Sequence, residues 1–293
     1  MSRERSVGSP LGRILLTGLS CAAGFGLVYV VTVRTVPGRR FGDASLRGAL
    51  LTRSTMADSA TTVLDVVSVA SLLGAVALVA VIALVRLLRV QGLAAIGLLV
   101  GANASTWVLK RYLLERPDLG LVEVSPATLN SLPSGHTTAV FSAVVALLFV
   151  VPLRWRSPTA LTGLVAATAT ALATMSAGWH RAGDSMASFL LVGVWAAVAA
   201  AAVVTLDPAD DPAERGSVPW PGPTRWLVVI SATSVALGLM LGAALVSAGS
   251  LRDATVGSGI AVLASGLLIA GTGIAVTLGV LGIVPRESSG NGT

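Results

Sequence analysis

Residues 133–184 read PSGHTTAVFSAVVALLFVVPLRWRSPTALTGLVAATATALATMSAGWHRAGD. Two polar phrases, Pro133-Ser134-Gly135-His136 and His180-Arg181-Ala182-Gly183-Asp184, bound a stretch that is almost wholly apolar, broken only at Arg154-Trp155-Arg156. Its length fits two membrane-spanning helices and a turn, at about 20 residues per span. A helical hairpin returns the chain to the face it left, so both phrases reach one membrane surface. His136 and His180 are the only histidines in the 293 residues. A chain this sparing with imidazole, with both copies at helix ends on one side, points to a paired catalytic use.

The composition places the whole chain in a membrane. It is 54% hydrophobic and 12% charged, with a mean hydropathy of +0.84. A soluble domain carries about 25% charged residues. Apolar runs at 14–33, 66–85, 90–109, 134–153, 157–178, 185–206, 226–248 and 254–284 predict eight spans. Each matches the roughly 30 Å hydrocarbon core. The first run is too long for a signal-peptide core, which is about 7–15 residues, so it reads as a retained helix. Small residues such as Ala196 to Ala202 let helices approach closely. The expected fold is an all-α transmembrane bundle. The acidic, Pro-rich segment 207–224 reads as a linker. It divides a six-span core, 1–206, from a two-span C-terminal appendage, 225–293. The lone Cys21 excludes an internal disulfide and reads as a small core residue.

Net charge is +6, from 20 Lys and Arg against 14 Asp and Glu. The basic residues are scattered among the loops, which excludes nucleic acid and fits contacts with membrane lipids. Eight spans put both termini on one side. Lys and Arg then divide ten and ten between the faces. Lys110, Arg111, Arg116 and Arg181 lie beside the histidines. Setting these four aside leaves ten against six, which puts the termini in the cytoplasm and the histidines outside. Arg39, Arg40, Arg47 and Arg53, in the segment 34–53, read as a solvated or headgroup-facing loop. Trp107, Trp155, Trp179 and Trp226 lie near span ends, as aromatic-belt residues do. Trp179 also adjoins His180, where it would wall a pocket.

Three charged clusters fall on the histidine face. The first, Lys110 to Pro117, leaves the third span. The second is Pro133 to His136, and the third His180 to Asp184. Each suits a phosphate. Lys110 and Arg116 bring cations, and arginine offers a two-pronged fork. Ser134 reads as a helix N-cap, leaving the N–H groups of Gly135 and His136 toward an anion. Gly135 gives room for close backbone approach. His180 and Asp184, four apart, share a face on a helical turn. A carboxylate on one ring nitrogen makes the other more nucleophilic.

The order Lys…Arg-Pro, Pro-Ser-Gly-His, His-x-x-x-Asp resembles the type 2 phosphatidic acid phosphatases, lipid phosphate phosphatases that share a fold with vanadium haloperoxidases. The resemblance covers about 85–206. It implies that His180 is the nucleophile that becomes a phosphohistidine and that Asp184 orients it. It implies that His136 is the general acid for the leaving alkoxide. Lys110, Arg116, Ser134 and Gly135 would form the phosphate cradle. The implied substrate is a lipid phosphomonoester or diphosphate, and no metal or cofactor is implied.

Two departures stand out. One residue fewer separates Lys110 from Arg116 than in the family's first motif. Thr174 stands where the third motif carries an arginine, and Arg181 or Arg111 would have to supply that charge. Phosphoryl transfer to another acceptor would use the same residues. The missing arginine also fits a non-catalytic relative that binds anionic lipid or acts as a scaffold. A transporter is disfavoured, because no ionisable residue lies mid-span.

Overall fold

The computed structural model describes residues 9–51, 69–121, 130–207, 224–249 and 255–285. Among these residues it contains nine helices: α1 (Pro10–Arg34), α2 (Val36–Leu51), α3 (Val69–Val85), α4 (Arg89–Val108), α5 (Gly135–Val150), α6 (Leu153–Ser176), α7 (Ala182–Leu206), α8 (Thr224–Ser247) and α9 (Thr255–Leu281). Six of them, α1, α4 with the turn that extends it, α6, α7, α8 and α9, are long and apolar enough to cross a membrane, and α3 and α5 are shorter apolar helices. These eight helices coincide with the eight apolar runs, six of them at spanning length. The protein is an all-α, multi-pass membrane bundle. Residues 208–223, most of the expected linker, and Arg53 lie outside the described residues.

Helix α7 runs through the centre, packing against α1, α4, α5, α6 and α9. It can do so because its inner residues are small: Ala182, Gly183, Ala187, Gly193, Ala196, Ala197 and Ala200 are all buried. At Gly193 a Cβ would lie 2.6 Å from the sulfur of Cys21 on α1, which is closer than van der Waals contact allows. Cys21 is thus the small core residue the sequence suggested, buried with its thiol free. Phe141 of α5 and Phe189 of α7 meet edge to face, centroids 4.8 Å apart, a favoured aromatic geometry. The outward faces carry Leu15, Leu16, Leu19 and Leu27 of α1 and Leu239 and Met240 of α8, all exposed. Apolar surface on this scale suits acyl chains rather than water.

The chain ends of the hairpins are tied by cations. Arg86 donates to the Val150 carbonyl, satisfying the open C-terminal end of α5. The expected break at Arg154-Trp155-Arg156 is the first turn of α6; the turn itself is Val151-Pro152. From there Arg156 donates to the Pro285 carbonyl at 2.7 Å, holding the chain just past α9. Helix α9 also packs against α2, α6 and α7. Half of its most apolar stretch is buried, against 11% of that of α8.

The segment read as a solvated loop is instead a helix, α2. Thr35 leaves α1 in extended conformation, and its hydroxyl accepts from the Gly38 N–H at 3.1 Å. That is an N-cap, with Pro37 in the first turn where its missing N–H costs nothing. Arg40 is exposed as expected, but Arg39, Asp43 and Ser45 are buried. The inner face of the helix mixes these polar residues with Ala44, Leu46 and Ala49, which are also buried. Ser45 donates to the Ala261 carbonyl of α9 at 3.1 Å. At Gly48 a Cβ would fall 2.3 Å from the Ser258 carbonyl oxygen, so only glycine permits that approach. Helix α2 therefore packs across the bundle at the end that carries the histidines, between α1, α7 and α9.

Candidate active site

The third cluster begins where α6 stops. Gly178 takes a φ of +81°, the left-handed conformation that ends helices and that glycine adopts without strain. The chain reverses there, and the Thr174 carbonyl accepts from the Trp179 N–H at 3.0 Å and the His180 N–H at 3.3 Å. Thr174, in the place where an arginine was expected, is fully buried. Its hydroxyl donates to the Ala171 carbonyl at 2.9 Å. It contributes a backbone anchor for His180 and no charge.

His180 sits just outside α7 and Asp184 in its first turn. The His180 Nδ1–H donates to Asp184 Oδ2 at 3.1 Å, with both side chains buried. The same oxygen accepts from the Arg181 N–H at 3.0 Å. Asp184 thus caps α7 and holds the imidazole at once. With Nδ1 engaged, the lone pair is on Nε2, the nitrogen turned away from the carboxylate.

Arg181 points elsewhere. Its Nε and Nη2 donate to one oxygen of Asp43 on α2, at 3.1 and 2.8 Å. Nothing in the sequence marked Asp43, which lies 138 residues away. Arg111 is exposed.

The second cluster forms as its spacing predicted. Ser134 is the N-cap of α5, and its Oγ accepts from the Thr137 N–H at 3.4 Å and the Thr137 hydroxyl at 3.1 Å. A Cβ on Gly135 would meet nothing within 4 Å. Space beside Gly135 is therefore open in the first turn of α5, at a helix end whose dipole favours an anion. His136 is half-buried, and its ring lies 5.5 Å from that of Trp179, tilted by 40°. Trp179 walls this side while remaining exposed, as a belt residue would.

The two clusters are bonded directly. The Ser134 N–H donates to the Asp184 carbonyl at 3.0 Å. Ser188 reaches both, its hydroxyl 2.8 Å from the Ser134 carbonyl and 3.0 Å from that of Asp184. His180 lies close enough to His136 for their charges to interact, and so does Lys110. Lys110 also interacts with the Asp184 carboxylate. Lys110, His136, His180 and Asp184 therefore gather in one place, as the hairpin argument required.

Lys110 stands on a π-helical turn, Leu109–Leu113, that continues α4. The Leu114 N–H closes it onto the Leu109 carbonyl at 2.8 Å. Single π turns are frequent at functional sites. Beyond it the chain is extended, and its carbonyls are held from several sides. Tyr29 donates to Glu115 at 2.8 Å, Asn130 to Leu114 at 3.1 Å, and Arg39 to Pro117. These bonds bracket Arg116, which is half-buried. Tyr29, Arg39 and Asn130 lacked any motif in the sequence. Among the described residues no three His, Cys, Asp or Glu side chains gather as metal ligands would.

The family model of the PAP2 superfamily matches residues 91–208. This segment is a PAP2 domain. It contains Lys110, Arg116, Ser134, Gly135, His136, His180, Arg181 and Asp184, and it spans α4 to α7. The match supports a phosphatase-type function. Asp43 and the rest of α2 lie outside the PAP2 segment. No curated protein and no solved structure matches the chain.

Proposed function

We propose that this protein is a membrane phosphatase that hydrolyses a lipid phosphomonoester or diphosphate through a phosphohistidine. The observation that carries this reading is the His180–Asp184 bond, which engages Nδ1 and would leave Nε2 for attack, with His136 close enough to His180, and Lys110 to Asp184, for their charges to interact. His180 Nε2 attacks phosphorus, and the bond from phosphorus to the leaving oxygen breaks. The proton on His136 passes to that oxygen, which departs as the lipid alcohol or the shorter phosphate ester. Water then gives a proton to His136 and attacks the phosphohistidine, releasing inorganic phosphate and restoring His180.

Charge develops on the phosphoryl oxygens in both steps. Lys110, Arg116 and the N–H groups at the start of α5 would stabilise it, with Ser134 capping that helix. The open space over Gly135 is where those oxygens would sit. A lipid substrate is favoured because the site lies at the ends of membrane-spanning helices, within reach of a headgroup. The charge balance of the loops favours the extracytoplasmic face of a cell membrane.

The test is phosphate release by purified protein from a panel of phosphatidate-like and polyprenyl phosphates, with chelator present. Release by wild type and none by His180→Ala is expected. Equal release by both would overturn the phosphohistidine. Release by neither would favour the second reading, a scaffold that binds anionic lipid without turnover. The absence of an arginine at Thr174 is what keeps that reading in view.

A further inference from the structure

We infer that Asp43 is a positioning residue of the phosphatase site, acting through Arg181 on the His180–Asp184 pair. The inference rests on the functional reading above and concerns a residue outside the PAP2 segment. Asp43 is 4% exposed and Arg181 6%. Two donors of the guanidinium, Nε and Nη2, converge on Asp43 Oδ1. The stem of Arg181 also lies against α2: a Cβ on Gly42 would come within 3.0 Å of its Cδ. Both the stem and one edge of the head are thus laid along a single helix.

Arg181 is placed where such fixing matters. It follows His180 directly, and its N–H donates to the Asp184 oxygen that holds Nδ1 of His180. Its carbonyl accepts from the Asp184 N–H at 3.0 Å. The Arg181 backbone therefore orients the carboxylate, and the carboxylate orients the imidazole. Asp43 is the far end of that chain of contacts. Its own anchorage is firm, since α2 is tied to α9 through Ser45 and to Pro117 through Arg39. A helix outside the PAP2 segment would then set the angle of the attacking nitrogen. Attack geometry is demanding: a shift of about 1 Å at a reacting group can cost about 10²-fold in rate.

The test uses full-length protein in detergent with a short-chain phosphatidate in mixed micelles. Asp43→Asn keeps the shape and removes the charge. The expected result is a kcat about 10²-fold lower at unchanged KM, with slower phosphohistidine formation in a single turnover. Asp43→Glu should recover part of the loss. Should Asp43→Asn not fold, Arg181→Lys keeps the ion pair without the fork and should show the same split. Combining Asp43→Asn with Arg181→Lys should lower kcat little further than either change alone. Wild-type kcat in Asp43→Asn or Arg181→Lys, beside an inactive His180→Ala, overturns the inference alone. A lower KM in Asp43→Asn also overturns it, because Arg181 would then be a phosphate ligand restrained by Asp43. Wild-type turnover in His180→Ala overturns the functional reading and this inference with it.

Discussion

Ser134 and Asp184 are bonded backbone to backbone, the Ser134 N–H donating to the Asp184 carbonyl at 3.0 Å. This bond joins the start of α5 to the first turn of α7, where Asp184 holds the His180 imidazole. Ser188 seals the joint from below with one hydroxyl set between two carbonyls. Ser188→Ala should lower stability by about 1 kcal/mol, the usual net worth of a buried hydrogen bond. Unfolding in detergent would measure it, and turnover should fall only modestly because the Ser134–Asp184 bond survives.

Gly135→Ala separates folding from ligand approach. A methyl group there meets nothing within 4 Å, and alanine is the better helix former. Stability should be unchanged or slightly raised. The same methyl intrudes where a phosphate would approach, so kcat/KM should fall at least about tenfold, near 1.4 kcal/mol of transition-state stabilisation. Equal kinetics in the two proteins would remove the anion from the end of α5.

Lys110 and Arg116 differ in what they offer. Lys110→Gln removes a charge that interacts with both His136 and Asp184. A loss of about 10²–10³ in kcat is expected, the range for removing one preorganised stabilising group. Arg116→Lys keeps the charge and loses the planar fork. It should be less damaging than Arg116→Gln, and steady-state kinetics of the three variants would rank them.

The role of His136 can be isolated by the leaving group. An alkoxide needs a proton as it departs, whereas a nitrophenolate does not. His136→Ala should therefore lose about 10²–10⁴ in kcat on an alkyl phosphate, the range of general acid catalysis. It should lose far less in the phosphorylation step with a nitrophenyl phosphate, measured as the burst. Equal losses on both would assign His136 to binding rather than proton transfer.

Arg156 tests the other end of the bundle. Its bond to the Pro285 carbonyl ties α6 to the end of α9, far along the helices from His180. Arg156→Ala should destabilise the protein in thermal unfolding, by about 1–3 kcal/mol as partners of a buried cation are lost. Its kcat at low temperature should match wild type.

Much of this architecture was legible because the bilayer writes a simple rule into the chain. Eight apolar runs gave eight helices, since a span must be apolar over its whole length. The clusters around Lys110, His136 and His180 could be brought together because hairpins force their ends to one side. Helix α2 escaped that logic. Its inward residues Arg39, Asp43 and Ser45 are polar beside the apolar Ala44, Leu46 and Ala49, so its buried face is not a continuous apolar stripe. The signal that existed was its start, Thr35 followed by Pro37, with Leu46, Ala49 and Leu50 at helical spacing. The Asp43–Arg181 pair had no signal at all, because nothing local to either residue names a partner 138 positions away.

The central claim is that His180 carries the phosphoryl group during turnover. The direct measurement is mass spectrometry of protein quenched in alkali milliseconds after mixing with a lipid phosphate, conditions that preserve phosphohistidine. A phosphoryl group on His180 that disappears as inorganic phosphate is released, and is missing from His180→Ala, is the predicted result. Turnover with no phosphoryl group on His180, or with one on another residue, would contradict the account.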